Sequence, residues 1–122
     1  MPDTPLGFKQ MCAKFDVTPR TLRYYEYIEL LQPEKDGRVR RYGPREVARM
    51  TLILRGRRFG FSLEEIRRWL LLYEEEGARS QLGAWIEMAD RQLTVLRAQR
   101  AELDETILHL QKLRDETARD LV

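Results

Sequence analysis

The sequence has few of the residues that build metal and redox sites: one cysteine, Cys12, and one histidine, His109, among 122 residues. A single cysteine excludes an internal disulfide and cannot form a zinc site alone. The chain also lacks a glycine-rich phosphate loop, a Cys-x-x-Cys pair and a convincing set of serine, histidine and aspartate for nucleophilic catalysis. These absences argue against an enzyme, and no cofactor or metal ligand is expected.

Long apolar runs are missing as well. No stretch of 18 apolar residues could form a membrane-spanning helix, and the N-terminal MPDTPLGFKQ lacks the basic segment and apolar core of a signal peptide. Charged residues make up 34% of the chain and hydrophobic residues 43%, which is typical of a folded, helix-rich protein. We expect a cytoplasmic protein with one compact domain and an extension.

The charges are unevenly distributed. Residues 1–73 carry 15 Lys and Arg against 9 Asp and Glu, a net charge of +6, whereas residues 74–122 carry 7 against 11, a net charge of −4. A basic head followed by an acidic tail suits a head that binds a polyanion such as nucleic acid. Two ordinary solvated faces would give the same balance, so charge alone does not decide.

Two short helical patterns lie close together near the N-terminus. Residues 6–15 place apolar side chains on one face at helical spacing, with Cys12 as a small core residue. Thr18 is a good N-cap and Pro19 suits the first helical position, which predicts a second helix over residues 19–27. Two helices joined by a short turn form a helix-turn-helix, whose second helix enters the major groove of DNA.

The second helix carries an unusual mixture of arginine and tyrosine. Arg20 and Arg23 can reach phosphate or guanine, and the positive N-terminus of the helix favours phosphate. Thr18 and Thr21 can donate to phosphates, and Tyr24 offers both a hydroxyl and a ring. The alternative is that the arginines are merely exposed to solvent and bind nothing, while Leu22 and Tyr25 face the core.

Residues 32–42, QPEKDGRVRRY, predict a hairpin, because Asp36-Gly37 is a two-residue turn signal. Segments 31–35 and 38–42 are expected to pair as a small wing. The second segment is rich in arginine, and its candidate DNA contacts are Arg40, Arg41 and Tyr42. The alternative is an ordinary charged surface hairpin.

Two further helices complete the predicted head. One covers residues 45–59, and the next begins at Ser62, which forms a capping-box pattern with Glu65. The predicted buried stripe of that helix comprises Ile66, Trp69, Leu70 and Tyr73. A glutamate run before Gly77 closes the head, which predicts domains over residues 1–76 and 77–122.

The tail has the heptad pattern of a coiled coil, with seam positions that alternate by four and three residues. A helix of this span is about 60 Å long and cannot bury its apolar stripe against a small head, so we expect it to pair with a second copy. The alternative is a helix that folds back on its own head. The seam positions are Leu82, Ile86, Ala89, Leu93, Leu96, Arg100, Leu103, Ile107, Leu110, Arg114, Thr117 and Leu121.

The two seam arginines favour an antiparallel pair. A parallel, in-register pair would place Arg100 and Arg114 each opposite its own copy, and like charges at a half-buried seam are unfavourable. In an antiparallel register Arg114 lies opposite Ala89, and the stem of Arg100 can lie along Leu103. His109 falls just off the seam and is expected at the surface.

Three motifs together resemble the MerR family of bacterial transcription regulators: TPRTLRYYE at residues 18–26, the wing with its Leu30-Leu31-x-Pro33 entry and Arg40-x-Tyr42 exit, and GFSLxEI at residues 60–66. The resemblance covers residues 6–75. It implies a mainly α fold, with a winged helix-turn-helix head, a two-stranded wing and a long C-terminal dimerisation helix. It further implies a homodimer that binds a pseudo-palindromic promoter element, distorts it, and acts on RNA polymerase indirectly.

The resemblance also implies roles for individual residues. The family often has Gly-Tyr-Arg-x-Tyr in the wing, whereas this chain has Arg38-Val39-Arg40-Arg41-Tyr42, so the contact of a tyrosine at position 39 is not expected. Metal-sensing relatives place cysteines at the start of the dimerisation helix, and residues 77–80 have none, so the chain resembles a short form without an effector domain. The implied DNA contacts are Arg20, Arg23, Tyr24, Arg40, Tyr42 and Arg57.

Two other functions remain open on the sequence. One is a DNA-binding accessory protein of the excisionase or partition type, which would use the same winged head. The other is a coiled-coil adaptor whose basic head binds protein. Loss of all binding to duplex DNA at moderate salt would favour the adaptor over the regulator and the accessory protein. The effector ligand stays unknown.

Overall fold

The computed structural model describes residues 4–122 and divides into two compact units, one ending at Leu71 and one running from Leu72 to Val122. The division lies inside a helix, whereas Gly77, the predicted start of the second domain, separates that helix from the next. No helix within residues 4–122 is both long and apolar enough to cross a membrane. The elements are α1 (Phe8–Phe15), α2 (Pro19–Tyr27), β1 (Glu34–Asp36), β2 (Val39–Arg41), α3 (Pro44–Phe59), α4 (Leu63–Glu76) and α5 (Ala78–Leu121).

The predicted helix-turn-helix is present. Helix α1 begins at Phe8, two residues later than the predicted segment. Thr18 caps α2 as predicted, because its hydroxyl oxygen accepts from the Thr21 amide at 3.1 Å and Pro19 occupies the first helical position.

Helix α2 ends in a left-handed residue. Glu29 has φ 63°, and the Leu30 amide donates to the Tyr25 carbonyl at 2.9 Å. This six-to-one bond is the Schellman motif, which usually places glycine in the left-handed position. A glutamate there is strained, since the left-handed conformation costs a non-glycine residue about 1–2 kcal/mol.

The predicted hairpin forms, but its register differs by one residue from the expected turn. Asp36 pairs with Val39 and Glu34 with Arg41, so the turn residues are Gly37 and Arg38 rather than Asp36 and Gly37. Gly37 has φ 62° at the first turn position, where a type II′ hairpin requires a positive φ.

The end of the wing is joined to the N-terminal segment. The amide and carbonyl of Leu6 exchange hydrogen bonds with those of Tyr42, at 2.9 and 2.8 Å. The prediction that Leu6 begins the first helix is therefore wrong. Its backbone extends the wing instead, which satisfies polar groups that an edge strand would expose.

Helix α3 holds the connection between α2 and the wing. The buried carboxylate of Glu46 accepts from the Gln32 amide at 2.9 Å, and Arg49 Nε donates to the Leu30 carbonyl at 3.1 Å. These bonds fix an irregular segment without regular backbone pairing. The buried hydrophobic residues are Met11, Leu22, Tyr25, Leu30, Leu31, Tyr42, Met50, Ile53, Phe61, Ile66 and Leu70.

Helix α4 begins with the predicted capping box. The Glu65 amide donates to Ser62 Oγ at 3.1 Å, and the Ser62 amide to Glu65 Oε1 at 3.5 Å. The predicted stripe is only partly correct. Ile66 and Leu70 are buried and Trp69 is half-buried, but Tyr73 is 55% exposed.

Helix α5 is a single helix of 44 residues, about 66 Å long at ~1.5 Å per residue. None of its residues, all of which the structure describes, is buried. His109 is exposed, as predicted. Exposure of the large apolar seam residues ranges from 39% at Leu96 to 89% at Leu121.

Gly56 allows close packing between α3 and α4, which gives a stability prediction. A Cβ at this position would lie 2.9 Å from Ile66 Cδ1. Overpacking costs about 1–3 kcal/mol, and helical alanine returns up to about 1 kcal/mol, so we expect Gly56→Ala to lower the free energy of unfolding by about 1 kcal/mol. Denaturant unfolding tests this.

Two controls make the cause identifiable. The added Cβ would also lie 3.0 Å from Ile66 Cγ1, and Ile66→Ala removes both of these atoms, so Gly56→Ala should cost less in that background. Gly83→Ala, where no atom lies within 4 Å of the added Cβ, should stabilise α5. Equal losses from Gly56→Ala in the wild-type and Ile66→Ala backgrounds would contradict this account.

Candidate nucleic-acid interface

Helix α2 presents a basic, aromatic face to solvent. Arg20 and Arg23 are exposed, and Tyr24 is 49% exposed. Leu22 and Tyr25 are buried on the opposite face and anchor the helix to the core. This arrangement holds the predicted contact residues on a rigid element with their polar atoms accessible, as a recognition helix requires.

The two threonines have different roles. Thr18 Oγ1 accepts the Thr21 amide and donates to Thr21 Oγ1 at 3.0 Å, so its hydroxyl is used within the cap. Thr21 accepts that bond and retains its own hydroxyl proton as a donor. Thr21 is therefore the one suited to donate to a phosphate, and Thr18 fixes the start of the helix.

A carboxylate joins the recognition helix to the wing. Glu26, whose side chain is only 8% exposed, accepts from Arg40 Nε at 2.8 Å through one oxygen and from the Tyr42 hydroxyl at 3.1 Å through the other. Burial raises the pKa of Tyr42 far above its usual value, and the neighbouring Glu26 charge and hydrogen bond raise it further. Tyr42 is thus held as a neutral donor to Glu26.

The structure does not support Tyr42 as a DNA contact. The side chain has 0% exposure, and its hydroxyl is engaged by Glu26. Residues two apart in a strand share a face, so Arg40 and Tyr42 point the same way, and that face lies toward α2 rather than toward solvent. Arg40 also binds Glu26, but 32% of its side chain is exposed.

The remaining predicted contacts are accessible. Arg41 is exposed on β2, where strand alternation places it on the face opposite Arg40. Arg57 is exposed near the end of α3, and its Nη1 donates to the Phe61 carbonyl at 3.1 Å, just beyond Gly60. That bond orients the guanidinium while its other donors stay available.

Sequence reasoning missed Phe8 as part of this surface. The guanidinium carbons of Arg23 and Arg40 lie over its ring, 5.5 and 5.4 Å from the centroid, within cation–π distance. Sequence reasoning also missed the role of Glu26, which it placed at the edge of the buried face of α2. A signal was present, because Glu26 lies one turn after buried Leu22, and two donors at positions 40 and 42 share one strand face.

No metal centre is suggested by the described chain. Within residues 4–122, no group of three His, Cys, Asp or Glu side chains could hold a metal ion. Cys12, predicted as a core residue, is half-buried, and desolvation raises the pKa of its thiol. A raised pKa disfavours the reactive thiolate.

The fold and this surface define a winged helix-turn-helix DNA-binding protein. The family model described as MerR HTH family regulatory protein matches residues 8–72, and the model described as MerR, DNA binding matches residues 47–116. The chain belongs to the MerR family and is a DNA-binding transcriptional regulator.

Individual relatives agree with this assignment. An uncharacterized HTH-type transcriptional regulator of Pseudomonas aeruginosa is 35% identical over 120 residues, covering 96% of this chain and 83% of the relative. A MerR family regulator from Bacillus cereus has a similar structure, with a TM-score of 0.73, 24% identity and coverage of 88% and 78%. HiNmlR, a MerR family regulator lacking the sensor domain and bound to promoter DNA, gives a TM-score of 0.68 at 21% identity, with coverage of 88% and 85%.

The Glu26 contacts give a prediction about the head. Glu26→Ala leaves the buried Tyr42 hydroxyl without its acceptor and Arg40 without its partner, so we expect the free energy of unfolding to fall by about 2–4 kcal/mol. Tyr42→Phe leaves the Glu26–Arg40 pair intact and should cost about 1 kcal/mol. Chemical denaturation measures both.

The matched control is Glu64→Ala, which breaks the exposed pair with Arg68 at 3.1 Å. Exposed pairs contribute little, so this change should cost less than about 0.5 kcal/mol. Similar losses for Glu26→Ala and Glu64→Ala would contradict a special role for the buried carboxylate.

Proposed function

We propose that this protein binds a pseudo-palindromic promoter element as a homodimer and regulates transcription by changing the shape of that DNA. Arg20, Thr21, Arg23 and Tyr24 read the major groove, and Arg40, Arg41 and Arg57 hold the phosphate backbone. RNA polymerase responds to the altered promoter geometry rather than to a contact with this protein.

The observation that carries the proposal is the exposure of the α5 seam. Leu82, Ile86, Leu103 and Ile107 are each 55–60% exposed and recur at heptad spacing. A helix of 44 residues with this pattern is stabilised when a second helix covers the stripe. An antiparallel register keeps Arg100 and Arg114 from facing their own copies across the seam. It also joins two heads into one molecule with two recognition helices.

The DNA side of the proposal is supported by the charge and form of the head. Its accessible guanidiniums belong to the recognition helix, the wing and the end of α3, which suits contacts to base edges and to flanking phosphates. The structural neighbour bound to promoter DNA supports a duplex as the ligand.

Distortion follows from the joining of the heads. Each recognition helix enters the major groove on one face of the duplex, about one or two helical turns from the other. A coiled coil fixes the separation of the heads, so DNA whose half-sites do not match that separation must bend or untwist. The deformation costs of order 1–6 kcal/mol, which the phosphate contacts offset.

The proposed homodimer gives a prediction about assembly. Leu96→Lys or Ile107→Lys places an unpaired charge in the seam, and we expect each to convert the dimer into monomers at micromolar concentration. Multi-angle light scattering gives the mass directly. Leu108→Lys is the matched control, because Leu108 is 71% exposed but lies off the seam, so this variant should remain dimeric. A monomeric wild type would contradict the proposal.

The second prediction concerns mechanism. The resemblance to the MerR family implies a bound element between two promoter hexamers whose spacing is too long for RNA polymerase. Deleting one or two base pairs from this spacer should bring the hexamers into phase and give strong transcription without the protein. Adding the protein to the shortened promoter should then repress transcription or change nothing. In vitro transcription with purified polymerase measures both conditions.

The control deletes the same number of base pairs outside the spacer, which should leave activation intact. Activation of the shortened promoter as strong as that of the native one would mean that distortion is not the mechanism. A direct contact with polymerase would then be required.

A further inference from the structure

Phe8 lies where three parts of the head meet. It is the first residue of α1, and it is half-buried. Its backbone is fixed on both sides, because Leu6 pairs with Tyr42 at the end of the wing and the Gly7 amide donates to the Gln10 side chain at 2.8 Å. The backbone that carries the ring is therefore held by contacts that do not involve the two arginines.

Those arginines belong to different elements. Arg23 comes from α2 and Arg40 from β2, and their guanidinium carbons lie 5.5 and 5.4 Å from the centre of the same ring. Because both distances share one centre, the two carbons are no more than about 11 Å apart. The major groove is about 12 Å wide, so the two arginines can contact a base edge and a phosphate at the edge of the groove at the same time.

The ring acts on Arg23 differently from a carboxylate. Arg23 precedes Glu26 by three residues, a spacing at which arginine and glutamate on a helix usually interact. Here the Glu26 oxygens are bound by Arg40 and Tyr42, and the Arg23 guanidinium lies over Phe8 instead. Contact with a ring face orients a guanidinium without using its N–H donors, whereas an ion pair would use them.

We propose that Phe8 is a positioning residue that holds Arg23 in the conformation that binds DNA. The proposal rests on the proposed role of Arg23 in reading the major groove. Phe8 reduces the rotamer freedom that Arg23 loses on binding, and it keeps Arg23 from competing for Glu26. Arg40 is thus held by both Glu26 and the Phe8 ring, whereas Arg23 is held by the ring and keeps its N–H donors for DNA.

Affinity measurements test the proposal with Phe8→Leu, which keeps an apolar side chain but has no ring, and Phe8→Tyr, which keeps the ring. The probe is a duplex selected from a randomised pool by the full-length wild type. We expect Phe8→Leu to raise the Kd for that duplex about 2- to 10-fold and the Kd for random duplex less than about 2-fold. Phe8→Tyr should bind as the wild type does.

A double-mutant cycle with Arg23→Ala separates positioning from folding. Once Arg23 is removed, Phe8→Leu should have a smaller effect on the selected duplex. An identical fold-change in both backgrounds would show that Phe8 supports only the fold, and it would overturn the proposal. If the wild type still selects a duplex from the randomised pool in that case, the proposed function stays intact. Failure of the wild type to select any duplex would overturn both the role of Phe8 and the proposed function.

A second readout needs no DNA. Protons beside the Arg23 guanidinium should show an upfield ring-current shift in the NMR spectrum of the wild type and of Phe8→Tyr, and this shift should be lost in Phe8→Leu. Glu26→Gln keeps the ring and should retain the shift. An Arg23 side chain without the shift in the wild type would overturn the proposal regardless of the binding data.

Discussion

The Glu26 carboxylate is the interaction on which the DNA-facing part of the head depends. It is nearly buried, and it binds one donor from β2 and a second from the residue that follows this strand. A three-residue strand pair has little stability alone, so the wing needs a tertiary contact to keep its orientation. By fixing β2 to the side of α2, one carboxylate sets the angle between the recognition helix and the wing.

The two units differ in how much of their apolar surface they bury. Among residues 4–71, the first unit buries eleven hydrophobic residues and one charged residue, Glu46, and leaves arginines at its surface. The second has no buried residue and a long exposed apolar row. Hydrophobic burial within one chain therefore explains the head. The exposed α5 stripe would be covered in the proposed homodimer, because a helix of this kind is stabilised mainly by packing of its apolar face.

Local patterns predicted most elements of this fold, since caps and periodicity act within a few residues. The Thr18 cap, the Ser62–Glu65 box and the long α5 follow from the sequence. Non-local contacts were not predictable in this way. The sequence assigned Tyr42 to DNA, whereas the structure buries it against Glu26, because nothing local shows which way a strand face points. The hairpin turn shifted by one residue because Gly37 suits either turn position. The arginines that the sequence assigned to DNA are accessible in the structure, but the Phe8 ring that lies beside two of them depends on packing between distant segments.

The left-handed conformation of Glu29 has an evolutionary consequence. Glycine fits this position without strain, and a glutamate codon becomes a glycine codon through a single nucleotide change. The replacement would relieve the backbone strain just beyond α2, and after the greater conformational freedom that glycine loses on folding, the net gain in stability would be up to about 1 kcal/mol. Natural proteins stand close to their stability threshold, so a gain of this size would allow a destabilising but useful change on α2 to persist. A single substitution at the end of this helix could thus supply the stability that a change of binding specificity on α2 would need.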